Sequence, residues 1–246
     1  MIVPLLIGAT SLAVLGAARR RAVQAAQVAA PVPARLIRFP GLLGPYRNAQ
    51  VFASTIARDP DLQPSTVTGG VDGYRRSQVL WHGEEVAPDI SVLVREMAPA
   101  LCRALGVAPF PIGTVENQVT VSRGGDFFKE HDDNGSPETA TRRLSWVYYV
   151  TGAQGAPVTA VSLQPSAFSQ SALRAQTERT PRQGFTGGEL VMLHAPGGGS
   201  YVVQPENDML ICFPSDVRHE VMPVRTASQD ARDARITVNG WVREAV

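Results

Sequence analysis

Two patterns of hydrophobic and polar positions divide the chain near Pro111. Before it, apolar residues recur in three- and four-residue steps; after it, they alternate in short runs broken by Gly, Pro, Asn and Asp. The first period belongs to helices and the second to strands. Asn48 to Ala57 and Ile90 to Leu105 are predicted as helices, the second with apolar residues at Val92, Val94, Met97, Leu101 and Leu105. Tyr74 to Trp81 between them reads as a strand. Arg35 to Gly44, followed by Pro45, reads as turn-rich. Beyond Pro111 the strand-like runs are Asn117 to Ser122, with Val119 and Val121 on one face, then Leu144 to Val150, Glu189 to Leu193, Tyr201 to Val203, Met209 to Phe213 and Arg235 to Val242. Short strands with turn signals between them argue for a sandwich or a barrel. Gly152 to Gly184, rich in Ala, Ser, Gln and Thr, is long for a loop and reads as a lid or a disordered segment.

Composition changes this picture little. The chain has 246 residues, 44% of them hydrophobic, enough for one large β domain with a short appendage. A formal net charge of +1, from 23 basic and 22 acidic residues, is unlike the footprint of a nucleic-acid binder. Cys102 and Cys212 read as small buried apolar residues, with a disulfide between them left open, and fit a reducing compartment. The N-terminus is unusual. Ile2 to Ala18 is almost wholly apolar and ends at Arg19, Arg20 and Arg21. Its 17 residues reach the lower limit for a membrane span. The charges follow the apolar stretch, where a secretory signal would place them before it. If it spans, the positive-inside rule leaves the rest of the chain in the cytoplasm. Gly8, Thr10, Ser11 and Gly16 favour a packed or dispensable helix instead, so membrane association through residues 2–21 stays open beside a plain cytoplasmic protein. Pro31 and Pro33 mark the linker to the main domain.

Chemistry enters with His131 and Asp133, answered far downstream by His219 and Arg235. Alternate residues of a strand share a face, so His-x-Asp aims an imidazole and a carboxylate at one point. A second His from a distant strand completes two nitrogens and one oxygen on one side of a metal. This is the facial ligand set of non-haem Fe(II) oxygenases, and it leaves positions open for substrate and O₂. An arginine deeper in the same pocket suits the carboxylate of an organic acid, since its planar fork grips both oxygens. Ligands that enclose a cavity favour the jelly-roll form, in which two sheets face one another.

The order Phe127-Phe128-Lys129-Glu130-His131-Asp132-Asp133, then Arg142 through Tyr149, Gly187-Gly188-Glu189-Leu190, Cys212-Phe213-Pro214-Ser215, His219 to Val224 and Arg235 to Trp241 resembles the prolyl 4-hydroxylase-like branch of the Fe(II)/2-oxoglutarate-dependent dioxygenases. The resemblance covers about Glu116 to Arg243; Val51 to Gly106, with Tyr74-Arg75-Arg76-Ser77, is compatible with the family's helical lead-in but less specific. It implies an α+β, mainly β fold: a double-stranded β-helix, or jelly roll, with N-terminal supporting helices. Residues 1–30 would be an apolar helix or anchor, and 31–246 the dioxygenase domain, with its catalytic jelly roll at about 116–243. The resemblance further implies that His131, Asp133 and His219 bind Fe(II). Asp132 ranks well below Asp133, because an extended segment points it to the other face. Arg235 would hold 2-oxoglutarate, assisted by Tyr149 and Thr237. Ser145, Val147, Leu190, Val221, Asn239 and Trp241 would line the pocket.

Fe(II), 2-oxoglutarate as co-substrate, O₂ and, as a further candidate, ascorbate are the implied cofactors. The implied reaction hydroxylates an unactivated C–H bond and releases succinate and CO₂, with a prolyl residue, peptidyl or free, as first substrate. Asp133 stands where related halogenases vacate a position for halide, which favours hydroxylation. Two alternatives stay open: a hydroxylase of a small amino acid or natural product, and a non-catalytic metal-binding jelly roll. Three features depart from the family. Val121 and Ser122 stand where a tyrosine is common, Arg235 follows His219 by 16 residues, and Gly152 to Gly184 is longer than needed. An outward loop over Thr226 to Ala234 accounts for the second and makes Arg232 a poor substitute for Arg235. His82 reads as a loop residue. His194 precedes a hairpin turn, and Arg123-Gly124-Gly125 reads as a turn between strands.

Overall fold

Proline opens both helices of the described chain in the first turn, where a missing N–H leaves no bond unmade. The computed structural model describes residues 35–66, 73–154, 184–195 and 199–246. Within them α1 spans Pro45–Ala57 and α2 spans Pro88–Leu105. Both begin upstream of the boundaries that apolar spacing predicts, because the spacing registers buried positions while the initiating turns are set by Pro45 and Pro88. Gly106, at φ +67°, ends α2, and Val107 N–H closes on the Cys102 carbonyl at 2.9 Å. Ile90, Leu93, Val94, Met97, Leu101 and Leu105 form the buried stripe of α2. Val92, expected on that stripe, is 53% exposed.

The strands are β1 (Ile37–Pro40), β2 (Gln63–Pro64), β3 (Arg75–Arg76), β4 (Gln78–Trp81), β5 (Ile112–Ser122), β6 (Phe127–His131), β7 (Arg142–Tyr149), β8 (Phe185–Gly187), β9 (Leu190–Ala195), β10 (Gly199–Val203), β11 (Met209–Pro214), β12 (His219–Val221), β13 (Val224–Thr226) and β14 (Arg235–Glu244). The major sheet runs β1-β11-β7-β14-β5-β4-β2 and the minor sheet β10-β9-β12-β6-β3, while β13 and β8 form a separate ribbon. All of these pairings are antiparallel. Two facing antiparallel sheets with helices on one outer face make the double-stranded β-helix fold.

Two sequence expectations need correction. Tyr74 to Trp81 is not one strand: it breaks at Ser77, where the chain crosses between sheets. β3 pairs with β6 of the minor sheet, and β4 pairs with β5 of the major one. Arg35 to Gly44 is not all turn, since β1 adds to the edge of the major sheet against β11. Its Ile37 and Phe39 are buried, but four residues give too short an alternation to stand out among prolines and glycines.

The major sheet sorts residues by face. On β14, Ile236, Val238 and Val242 point to the outer core with α1 and α2, joined by Leu144, Trp146 and Tyr148 of β7. The alternate residues of both strands face the minor sheet, as period-two geometry requires. β11 is buried throughout: Leu210 and Cys212 enter the outer core, while Met209, Ile211 and Phe213 enter an inner core with Leu190, Met192 and Val203. Cys102 and Cys212 are both free and buried in the outer core, so no disulfide joins them. Among the described residues no helix is long and apolar enough to cross a membrane. The apolar segment 2–21 and most of the 152–184 stretch lie outside the described residues.

Candidate metal centre

His131 is the last residue of β6, and β12 lies antiparallel to it with His219 directly opposite. Alternation along one strand does not place Asp133, because β6 ends at His131. Asp133 is set by different means. Its N–H donates to the Ser215 carbonyl (2.9 Å), so the segment following β11 holds the backbone. Its Oδ2 accepts from Ser145 Oγ at 2.6 Å. The atoms of His131, Asp133 and His219 that could ligate a metal all lie within 4.8 Å of one another, and no other such group occurs among the described residues.

Each imidazole is oriented by the backbone carbonyl two residues before it. His131 Nδ1 is 2.7 Å from the Lys129 carbonyl, and His219 Nδ1 is 2.8 Å from the Val217 carbonyl. An N–H donated there fixes the tautomer and leaves each Nε2 lone pair facing inward. The Nε2 atoms stand 3.8 and 3.6 Å from the Asp133 carboxylate. These gaps are too long for hydrogen bonds and fit two ligands each about 2 Å from a shared ion. Phe128 stacks on His131 with ring centroids 3.5 Å apart, and Phe213 meets His219 edge-on at 4.9 Å. Burial, and then the neighbouring His219, push the His131 imidazolium down to about 3. Burial raises the Asp133 carboxyl, but His219, His131, Ser145 and Trp241 together hold it below its ordinary value. Neutral imidazole and ionised carboxylate are the states a metal needs.

Beside this group the first residue of β14, Arg235, is 3% exposed. Its Nε donates to the Gly188 carbonyl at 2.9 Å, and its guanidinium lies 5.2 Å from the centre of the Tyr149 ring. Burial lowers its pKa, opposed by Tyr149 and Glu189. Thr237 pairs directly with Tyr149 across the sheet. Tyr149 Oη and Thr237 Oγ1 are both buried without a hydrogen-bond partner among the described residues. A buried cation beside two unsatisfied hydroxyls is what a carboxylate would satisfy. The residues present therefore fit both a divalent metal and an organic acid.

Of the remaining predicted residues, Val147, Leu190, Val221, Asn239 and Trp241 border the cavity, together with His131, Asp133, His219 and Arg235. Ser145, expected in the wall, lies instead behind Asp133, and Tyr149 and Thr237 lie a layer deeper. Asp132 borders only the outer cleft. Arg232 is exposed on the loop before β14 and paired with Asp230, so it stays away from the site. His82 is exposed in a turn, and Arg123 to Gly125 is a turn between β5 and β6. Sequence reasoning missed Gln118, Thr120 and Ser122, although placing Val119 and Val121 on the core face puts these three on the other. All three are polar, buried and border the cavity. It also missed Arg75, Phe127, Phe128 and Phe213 as lining residues.

A facial His-Asp-His group between the sheets of a jelly roll, with a buried arginine behind it, defines the non-haem iron oxygenase class. Residues 117–243 match the model of the 2OG-Fe(II) oxygenase superfamily, and the chain belongs to that family. It is 30% identical over 206 residues to an uncharacterised PKHD-type hydroxylase of Synechocystis, covering 82% of this chain and 61% of that relative's length. The chain thus spans less than two thirds of the relative it matches. Among solved structures it is similar in fold to a prolyl hydroxylase of Trichoplax adhaerens in complex with a hypoxia inducible factor peptide fragment (TM-score 0.62, 16% identity, 97% of this chain and 94% of that one). It is also similar to a prolyl-4-hydroxylase of Pseudomonas putida (TM-score 0.58, 19% identity, 94% and 100%).

Proposed function

We propose that this chain is an Fe(II)- and 2-oxoglutarate-dependent dioxygenase that hydroxylates an unactivated C–H bond, with a prolyl residue, peptidyl or free, as substrate. The observation that carries the reading is one cavity bordered by His131, Asp133, His219 and Arg235, with two unsatisfied hydroxyls behind the arginine. His131, Asp133 and His219 would hold Fe(II). Arg235, Tyr149 and Thr237 would hold the carboxylate of 2-oxoglutarate remote from the metal. Iron and co-substrate together with O₂ supply the oxidising chemistry, and succinate and CO₂ are released.

The chain's own residues orient and enclose. Leu190, Val221, Phe213 and Val147 form an apolar wall that keeps water from the reacting carbon. Phe128 locks the His131 ring by stacking, and Ser145 and Trp241 hold the Asp133 carboxylate. The cavity meets an outer cleft of about 460 Å³ bordered by Tyr74, Trp81, Arg142, Arg218 and Trp241, room for residues flanking a target proline. The peptide bound by the Trichoplax neighbour supports a peptidyl substrate. A non-catalytic metal-binding jelly roll has no use for the buried Arg235 and its hydroxyls.

Anaerobic addition of Fe(II) and 2-oxoglutarate should produce the weak visible charge-transfer band of their chelate, and His219→Ala should abolish it. A wild-type protein that binds iron yet gives no band on adding 2-oxoglutarate would overturn the reading in favour of the non-catalytic alternative.

A further inference from the structure

Arg75 is the one residue of the Tyr74-Arg75-Arg76-Ser77 segment that borders both the metal cavity and the outer cleft. Its position is built. β3 pairs it directly with Phe128, and its guanidinium lies over that ring, 4.8 Å from the centroid. The same ring stacks on His131. Arg75 Nε donates to Ser77 Oγ at 3.2 Å, and Ser77 is itself 8% exposed. Cation, phenyl ring and metal-ligand imidazole therefore form a continuous stack at the throat of the site.

No carboxylate lies within ion-pair distance of Arg75 among the described residues. The other arginines of the cleft have such partners: Arg142 meets Glu116 at 2.9 Å, and Arg218 meets Glu130 at 2.6 Å. The acid whose charge acts on Arg75 is Asp133, and the metal would take up that charge. With iron and 2-oxoglutarate in place, the charges of Fe(II) and Arg235 are matched by Asp133 and the two co-substrate carboxylates. Arg75 remains unmatched. Burial pushes its guanidinium down to about 10, so it is still cationic at neutral pH. Asp132 borders only the outer cleft and is not an ion-pair partner of Arg75.

We propose that Arg75 is a specificity-determining residue that receives a carboxylate of the substrate next to the reacting carbon, so the preferred substrate is anionic at that end. The carboxylate comes either from the substrate's own terminus, as in a free or C-terminal residue, or from an acidic side chain adjacent to the target in a peptide. This inference rests on the oxygenase reading of the site and names the substrate class within it. A planar guanidinium held by a ring and a hydroxyl is pre-organised for two-point contact with a carboxylate.

The test uses the full chain with Fe(II) and 2-oxoglutarate under anaerobic conditions and follows perturbation of the chelate band as compounds bind. The probes are N-acetylated amino acids, each matched with its neutral amide, and acetyl-prolyl-glutamate amide against acetyl-prolyl-glutamine amide. At least one acid should bind about 10- to 100-fold more tightly than its neutral match. Arg75→Gln should erase that preference and Arg75→Lys should keep part of it, while the affinity for 2-oxoglutarate, read from the same band, is unchanged. A preference confined to the free acids assigns the carboxylate to a terminus; one confined to the glutamate peptide assigns it to a neighbouring side chain. No preference for acid in any pair, or a preference that survives Arg75→Gln, overturns the proposal. So does a tenfold loss of 2-oxoglutarate affinity in Arg75→Gln, which would make Arg75 a co-substrate ligand. If the wild type forms no chelate, the oxygenase reading itself fails and takes this inference with it.

Discussion

At Gly188 an added Cβ would lie 2.6 Å from Arg235 Cδ, and the backbone there has φ +67°. The carbonyl of this same residue accepts from Arg235 Nε. Gly188 thus both admits the arginine and aims it, and a side chain would do so only by straining the backbone and moving the guanidinium. Arg235→Ala is expected to raise the 2-oxoglutarate requirement by roughly 10- to 150-fold, as loss of a charge-assisted contact implies. Iron binding should be nearly unchanged, because Arg235 is not among the grouped ligand atoms. Gly188→Ala should shift the same constant in the same direction without touching a ligand. Titrating 2-oxoglutarate against each variant checks both, and an unaltered requirement in Arg235→Ala would place the anchor elsewhere. The candidate residues His131, Asp133, His219 and Arg235 were all named from the sequence, because their order and spacing together join side chains suited to a metal and a carboxylate. The part played by Gly188 was not, because closeness to a residue 47 positions away is a property of the folded chain.

The turn before β11 shows how elements are tied together. Asp208, at φ +59°, accepts from Leu43 N–H (2.9 Å), Gly44 N–H (2.8 Å) and Tyr148 Oη (2.8 Å). Asn48 of α1 donates to the Val150 carbonyl (3.1 Å), and its Oδ1, 2.7 Å from the same Tyr148 hydroxyl, shares that single proton with Asp208. One carboxylate therefore joins the start of α1, the middle of the major sheet and β11. Asp208→Ala would leave two backbone donors without their acceptor and the phenol with Asn48 alone, at a cost on the order of 2–4 kcal/mol. Denaturant unfolding should show the lower midpoint with the slope unchanged, and stability equal to wild type would mean the network contributes little. Strands long enough to alternate, β5, β7 and β14, were readable by pattern. β2, β3, β8, β12 and β13 have two or three residues each, so their pairing follows from neighbours and not from any periodic signal.

For the molecule as a whole, the candidate metal group touches the inner core through Phe213 and Leu190, but the sheets and helices are packed by two extensive apolar clusters. Removing metal should leave a folded protein, unlike a small domain held together by its ion. A ligand that binds only the folded state at about 100 times its Kd adds about 2.7 kcal/mol. For a chain of this size that corresponds to a Tm rise of roughly 5–10 °C. Fe(II) with 2-oxoglutarate should produce such a rise anaerobically, and a chelator should return Tm to the apoprotein value without unfolding it. Unfolding on chelation would show that the metal group is part of the structural framework.

The kind of chemistry and the fold class were determined by the sequence alone. Side-chain identity limits what can ligate iron or grip a carboxylate, and period-two alternation limits how the strands can bury their faces. Only the tertiary structure decided that Asp133 is held by Ser215 and Ser145, that Tyr74 to Trp81 crosses between two sheets, and that Arg75 reaches the throat with no acidic partner among the described residues. Each of these depends on strands brought together from far apart in the chain, and local pattern carries no record of the register in which they meet.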